Sequence, residues 1–384
     1  MVTALTVLAG LTLLFWLGID WEMMRGNRLM KRLAALNAPT PGHWPRVSIV
    51  VPARNEGKTV GAAMPTLLAL DYPDFEVIAV DDRSDDDTGA ILDRLAALNP
   101  RLRVDHVRVL PTGWIGKNHA LHDGATRATG RWLLFTDADI HFAPDALQRA
   151  IAFAEAGNLD LVAVVPRLTE HGHLLGICVG AFSLLFPVFF RPWRIADPAS
   201  RSYGGVGAFN LVRAATYRKL GGHTRIQLRP DDDVKLGKLF KRSGARCDFL
   251  FGAGAISVAW YADVREMVRG LTKNSFAGAD YSVAMVVSGV TLLATVFLWP
   301  PLALTLTAGP AWWLNLAATV AMLAVAVDNQ RFAGGRRWHG LLVPVGVAVF
   351  IYILLRSMVV TLGQRGIVWR GTHYPLADLK ANKV

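Results

Sequence analysis

The chain has 384 residues, 52% of them hydrophobic, with a mean hydropathy of +0.32. It is long enough for one large α/β domain plus membrane segments, and too apolar for a wholly soluble protein. The 41 Lys and Arg outnumber the 30 Asp and Glu, giving a net charge of +11; with no zinc-finger spacing or other nucleic-acid module, this excludes nucleic acid as the expected partner and leaves lipid headgroups or a phosphorylated substrate. The two cysteines, Cys178 and Cys247, make neither a disulfide framework nor a metal cluster.

Residues 1–22 form the expected N-terminal transmembrane anchor: 3–19 are apolar and uncharged, no small-residue cleavage site is evident, and Arg25, Arg28, Lys31 and Arg32 follow as a basic cytoplasmic flank. A soluble domain is expected over 44–255. Val47–Val51 is a compact β-branched run, 57–70 has helical spacing, Phe75–Val80 is a second strand ending at Asp81-Asp82, and 87–98 is helical. A strand over Val104–Leu110, a helix over 117–129 and a strand over Trp132–Thr136 continue the alternation. Such alternation predicts an α/β, mostly parallel, Rossmann-like sheet with ligands at the carboxyl ends of its strands. The polar clusters Arg54-Asn55-Glu56, Asp81-Asp82 and Asp137-Ala138-Asp139 stand at those ends.

Asp137 and Asp139 are alternate residues on an extended chain, so both carboxylates are able to face one hard cation, Mg²⁺ or Mn²⁺, that also takes phosphate oxygens. Capping or turn formation is the competing role. Asp82 is placed to accept a hydrogen bond from a base N–H or a ribose hydroxyl, whereas Ser84 and Asp87 are expected to cap the next helix. Gly113–His119 is not a P-loop, because Pro111 and Asn118 stand where Gly and Ser or Thr are required. Lys117 is either a diphosphate or carboxylate partner or a solvated lysine. Asp231-Asp232-Asp233 opens a helical stretch and is either a cap or the source of a general base. The pairs His119/His122 and His171/His173 lack metal-site spacing and are read as non-ligands.

Residues 174–194 are apolar and end in Arg and Trp, as either a core or an interfacial helix. Residues 256–281 are expected to be amphipathic, with Arg265, Arg269 and Lys273. Three apolar stretches at 282–306, 311–327 and 341–362 make a C-terminal membrane region over 282–364 with about three spans. Three crossings place the tail, 365–384, outside, yet Arg365, Arg370, Lys380 and Lys383 argue for inside.

Taken together, VSIVVPARNE at 47–56, VDDRSDDDT at 80–88, GWIGKNHAL at 113–121, TDAD at 136–139 and PDDDVKLGKL at 230–239 resemble the family 2 glycosyltransferases, whose catalytic fold is called GT-A. The match covers roughly the central half of the chain. The GWxGK stretch, the membrane layout and VWRGTHYPL at 368–376 are similar to the lipid-acceptor branch, which includes ceramide, hopene-associated and carotenoid glycosyltransferases. The resemblance implies that Ala53, Asn55, Glu56 and Asp82 line the nucleotide pocket, with Lys117 near the diphosphate. It implies that Asp137 and Asp139 hold the metal and diphosphate, and that Asp233 is the base with Asp232 beside it. The implied reaction is inverting transfer of a sugar from a nucleotide-sugar, a UDP-sugar as first choice, to a lipid acceptor at the cytoplasmic face of the inner membrane. The chain departs from many membrane members in lacking a Gln/Arg-x-x-Arg-Trp motif; the comparable stretch is MVRGLTKNSFAG at 267–278. That absence counts against a processive polysaccharide synthase, the alternative within enzymes; a non-catalytic membrane scaffold is the alternative outside them.

Overall fold

The computed structural model describes residues 2–169 and 172–384, so His171 lies outside the described residues. The chain divides into two compact units. One comprises residues 30–167, 192–259 and 381–384; the other comprises 1–29, 168–191 and 260–380.

The first unit is built on a seven-stranded sheet. In chain order its elements are β1 (Val47–Ala53), α1 (Val60–Leu68), β2 (Phe75–Asp82), α2 (Thr88–Leu98), β3 (Leu102–Val107), α3 (Gly116–Arg127), β4 (Trp132–Phe135), α4 (Ala146–Ala156), β5 (Leu161–Val165), β6 (Asn210–Arg213), α5 (Asp232–Arg242) and β7 (Cys247–Phe251). The strand order is β3-β2-β1-β4-β6-β5-β7. The strands β3, β2, β1 and β4 run parallel, as do β5 and β7, and β6 alone runs opposite, antiparallel to β4 and β5. Val47, Ile49, Val50, Val77, Ile78, Leu133 and Leu134 are fully buried, as expected of central parallel strands covered on both faces. The chain winds from β1 outward through β2 to β3, then crosses back to β4 on the other side of β1. That reversal opens a crevice at the carboxyl ends of β1 and β4.

Two expectations shift. The third strand ends at Val107, the partner of Asp82; beyond it the segment has no sheet neighbour, and Val109 is exposed. Asp87 sits at the start of α2 without a side-chain capping bond. Ser84 does not cap either: its Oγ accepts the Asn55 N–H at 3.0 Å.

The second unit is helical. Thr3–Leu29, His173–Arg194, Val283–Ala303, Pro310–Phe332 and Arg337–Gly363 are each long and apolar enough to cross a membrane. Polar bonds register these helices: Trp16 Nε1 donates to the Val296 carbonyl at 2.8 Å, and Asn27 Nδ2 to Asn329 Oδ1 at 3.0 Å. Helix Val264–Gly278 is capped by Asp263, whose carboxylate accepts the Glu266 N–H.

Candidate active site

The first two strand ends form one scaffold. Asn55 and Arg83, just past β1 and β2, hold left-handed φ values of 57° and 58°, a conformation that non-glycine residues adopt mainly where the surroundings enforce it. Here the two loops are laced together. The N–H groups of Asn55, Glu56 and Gly57 donate to Ser84 Oγ, Thr88 Oγ1 and Asp86 Oδ2 at 2.8–3.0 Å, and the Asp85 N–H donates to Asn55 Oδ1 at 2.8 Å. Much of the acidic run after β2 therefore supports the loop after β1. Ala53 is buried, so its side chain has little access to a ligand. Asp82 is buried and held by Arg83 at 2.8 and 3.1 Å, with Arg54 at 3.8 Å. The start of α3 presses on it: a Cβ at Gly116 would lie 2.1 Å from Asp82 Oδ2, so only glycine fits.

The segment before α3 is fastened to the segment before α5. The Ile115 N–H donates to the Gln227 carbonyl at 3.0 Å, and Asn118 Nδ2 donates to the carbonyls of Ile226 and Arg229 at 2.8 and 2.9 Å. Arg229 is 2% exposed and forks onto Asp231 at 2.9 and 3.0 Å, and Lys235 reaches the same carboxylate at 3.5 Å. Asp231 is thus an ion-pair partner rather than a helix cap. These ties bring Lys117 beside the aspartates: its Nζ lies 2.7 Å from Asp137 Oδ1 and 3.9 Å from Asp232 Oδ1. Asp233 Oδ2 accepts the Gly207 N–H at 2.8 Å, Asp233 Oδ1 accepts the Val234 N–H at 2.8 Å, and the Asp137 N–H donates to the Gly207 carbonyl at 3.1 Å. Lys117, Asp137, Gly207, His223, Asp232 and Asp233 line one pocket.

The charges are strongly coupled. Burial alone would depress Lys117, but Asp137, Asp232 and Asp233 more than reverse that and hold its ammonium protonated. Burial raises Asp232 and Asp233, and Lys117 pulls both back down. Asp139 is pushed up to about 7, first by burial and then by the negative charges of Asp137 and Glu56.

Residues 48–173 match the family described as Glycosyl transferase family 2. This chain carries a family 2 glycosyltransferase domain. The 4,4'-diaponeurosporenoate glycosyltransferase of Staphylococcus aureus (strain USA300) is 24% identical to the transferase over 278 residues, 71% of this chain and 72% of that protein. The same enzyme from strain MRSA252 aligns with the same figures. A mannosyltransferase from Pyrobaculum calidifontis, solved with GDP-Man and Mn²⁺, superposes with a TM-score of 0.57 at 19% identity, over 91% of this chain and 99% of that one. The transferase therefore has the GT-A fold.

Of the residues expected at the site, the transferase gathers Lys117, Asp137, Asp232 and Asp233 at one pocket. Asp137 and Glu56 both lie within electrostatic reach of Asp139, whereas Asn55 and Asp82 belong to the β1–β2 ends. Among the described residues no three His, Cys, Asp or Glu side chains form a metal-ligating group. The carboxylates still suit a cation that draws most of its ligands from elsewhere. The mutual repulsion that raises Asp139 is what a cation relieves, and Mg²⁺ or Mn²⁺ is commonly bound by one or two carboxylates with substrate phosphates and water. Sequence reasoning missed the Gly204–Gly207 segment. A Cβ at Gly205 would lie 1.9 Å from the Asp233 carbonyl oxygen, and one at Gly207 would lie 2.6 Å from Asp137 Oδ2. Three glycines in four residues before an apolar strand were the available signal.

Proposed function

We propose that the protein is an inverting glycosyltransferase that moves a sugar from a nucleoside-diphosphate sugar to a lipid hydroxyl at the cytoplasmic face of the inner membrane. One observation carries the reading: a lysine and three aspartates from three separate segments line a single pocket beside the strand-order reversal. The relatives support it, one a diaponeurosporenoate glycosyltransferase and one solved with GDP-Man and Mn²⁺. The membrane-length helices favour an acceptor that dissolves in a bilayer.

Asp233 is the base. Two backbone N–H groups fix its carboxylate, and its raised pKa improves proton acceptance. As the acceptor oxygen bonds to the anomeric carbon, the acceptor proton passes to Asp233. The bond from that carbon to the phosphate oxygen breaks, and its electron pair leaves with the nucleoside diphosphate. Lys117 supplies a permanent positive charge on the leaving-group side of the pocket, and Asp82 with Glu56 orients the nucleoside. A divalent cation on Asp137 and Asp139, when bound, neutralises charge on the departing diphosphate.

The test incubates membranes holding the full chain with labelled UDP- and GDP-sugars and identifies labelled lipid by mass spectrometry. One sugar per lipid is expected. Asp233→Asn is expected to lower kcat by at least about 100-fold while donor binding persists. Undiminished turnover in that variant removes Asp233 from the reaction.

A further inference from the structure

Helix Val264–Gly278 packs its buried residues Thr272 and Phe276 along helix Val343–Gly363. The Phe276 N–H donates to Ser357 Oγ at 3.0 Å, and that hydroxyl donates to the Thr272 carbonyl at 2.6 Å. Arg269 and Lys273 lie one turn apart on the same helix, where like charges are neighbours and repel. Among the described residues neither is in an ion pair with a carboxylate.

A third cation comes from the hairpin of Gly366–Trp369 and Thr372–Pro375, which follows helix Val343–Gly363 directly. Its two-residue turn is Arg370 (φ 48°) and Gly371 (φ 81°). Left-handed backbone at both positions is the geometry that favours Asn-Gly, so arginine at the first sits against its own preference. Lys273 is half-buried, and its pKa is lowered first by that burial, then by Arg370 and Arg269. Two segments thus concentrate positive charge at a stability cost, an arrangement an anion would offset.

We propose that Arg269, Lys273 and Arg370 bind the phosphate of an anionic lipid headgroup. Position commits the site to lipid: the hairpin begins three residues after helix Val343–Gly363, and helix Val264–Gly278 ends five residues before helix Val283–Leu293 begins. Cations so placed lie at headgroup level. The inference rests on these helices sitting in a bilayer, not on the transfer reaction, and its readout needs no donor.

The experiment measures retention of phosphatidic acid against phosphatidylcholine by the full-length detergent-solubilised protein, using native mass spectrometry. The wild type is expected to retain phosphatidic acid preferentially. The double variant Lys273→Gln, Arg370→Asn is expected to lose about tenfold or more in affinity. Its thermal unfolding temperature is expected to stay level or rise, because repulsion and a backbone mismatch are both removed. Arg269→Lys is expected to keep most of the binding, and Arg337→Gln, outside the cluster, all of it. Unchanged phosphatidic acid affinity in the double variant overturns the proposal, as does a lowered unfolding temperature, which would assign the cations to the fold. Complete displacement of the lipid by an equal concentration of inorganic diphosphate also overturns it, in favour of a soluble anion.

Discussion

At the floor of the pocket His223 is buried and its Nδ1 lies 2.7 Å from the Tyr217 hydroxyl, which also accepts the His223 N–H at 3.2 Å. With its oxygen accepting the backbone N–H, the hydroxyl keeps its own O–H to donate to a neutral Nδ1. Burial, then the charges of His122 and Lys117, depress the His223 pKa from 6.5 to about 3. The unfolded chain consequently binds the extra proton first as pH falls. The stability that follows from a neutral His223 is complete above pH 6.5 and is lost between 6.5 and about 3. His223→Gln removes that dependence. Urea midpoints of wild type and variant are expected to converge from pH 7 to pH 4, with a differential slope of up to about 1.4 kcal/mol per pH unit. A pH-independent gap would mean that His223 is not held neutral. The local sequence offers only Tyr217, six residues earlier; the burial that sets the protonation state comes from chain folded over the residue.

Elements divide into those whose signals are local and those whose signals are not. The strands β1, β2 and β4, with α3 between them, were legible because each is a short apolar run or a periodic helix ending in a polar cluster. The antiparallel β6 was not: four residues reached after a 44-residue excursion from β5, paired only through long-range hydrogen bonds. The lacing of the β1 and β2 ends was hidden for the same reason, since Ser84 reads as a cap until Asn55 lies beside it. The Gly204–Gly207 segment bears most directly on catalysis, because α5 carries both Asp232 and Asp233 and rests on this backbone. A Cβ at Gly237 on α5 would also lie 2.0 Å from the Gly204 carbonyl oxygen. Gly205→Ala must push α5 away, so a stability loss of about 2 kcal/mol or more and a matching fall in kcat are expected. Gly61→Ala on α1, whose nearest neighbour would be Ile91 Cγ2 at 3.8 Å, is the control and should unfold no earlier than wild type. Equal stability of the two variants would show that α5 is free to shift without cost.

At the scale of the whole molecule, the five membrane-length helices among the described residues do not imply five crossings. Strands β5 and β6 are hydrogen-bonded neighbours in one sheet, and helix His173–Phe190 lies between them in the chain. One crossing there would put the two strands on opposite sides of the bilayer, so that helix makes no single crossing. The tail obeys a similar constraint. Asn382 donates to the Arg225 carbonyl and accepts the Leu228 N–H, both at 3.1 Å, so residues 381–384 lie on the sheet's side. The number of crossings between 260 and 380 is therefore even. Arg28 pairs with Asp328 at 3.2 Å, which sets the ends of Thr3–Leu29 and Pro310–Phe332 level with each other. The expected crossings are then Thr3–Leu29, Val283–Ala303 and Pro310–Phe332, with helix Val343–Gly363, which packs against helix His173–Phe190, expected to make no net crossing. Gly346 makes that pairing possible, because a Cβ there would lie 2.5 Å from Ala181 Cβ. The basic tail and the basic 331–337 loop then share one face, which removes the conflict that a strict count of three C-terminal spans creates. Single cysteines read this out in sealed membrane vesicles with a membrane-impermeant maleimide, since Cys178 and Cys247 are buried. Lys58→Cys and Lys383→Cys are expected to label from the same side and Ala308→Cys from the other. Labelling of Lys383→Cys together with Ala308→Cys would restore a third C-terminal crossing and detach the tail from the catalytic unit.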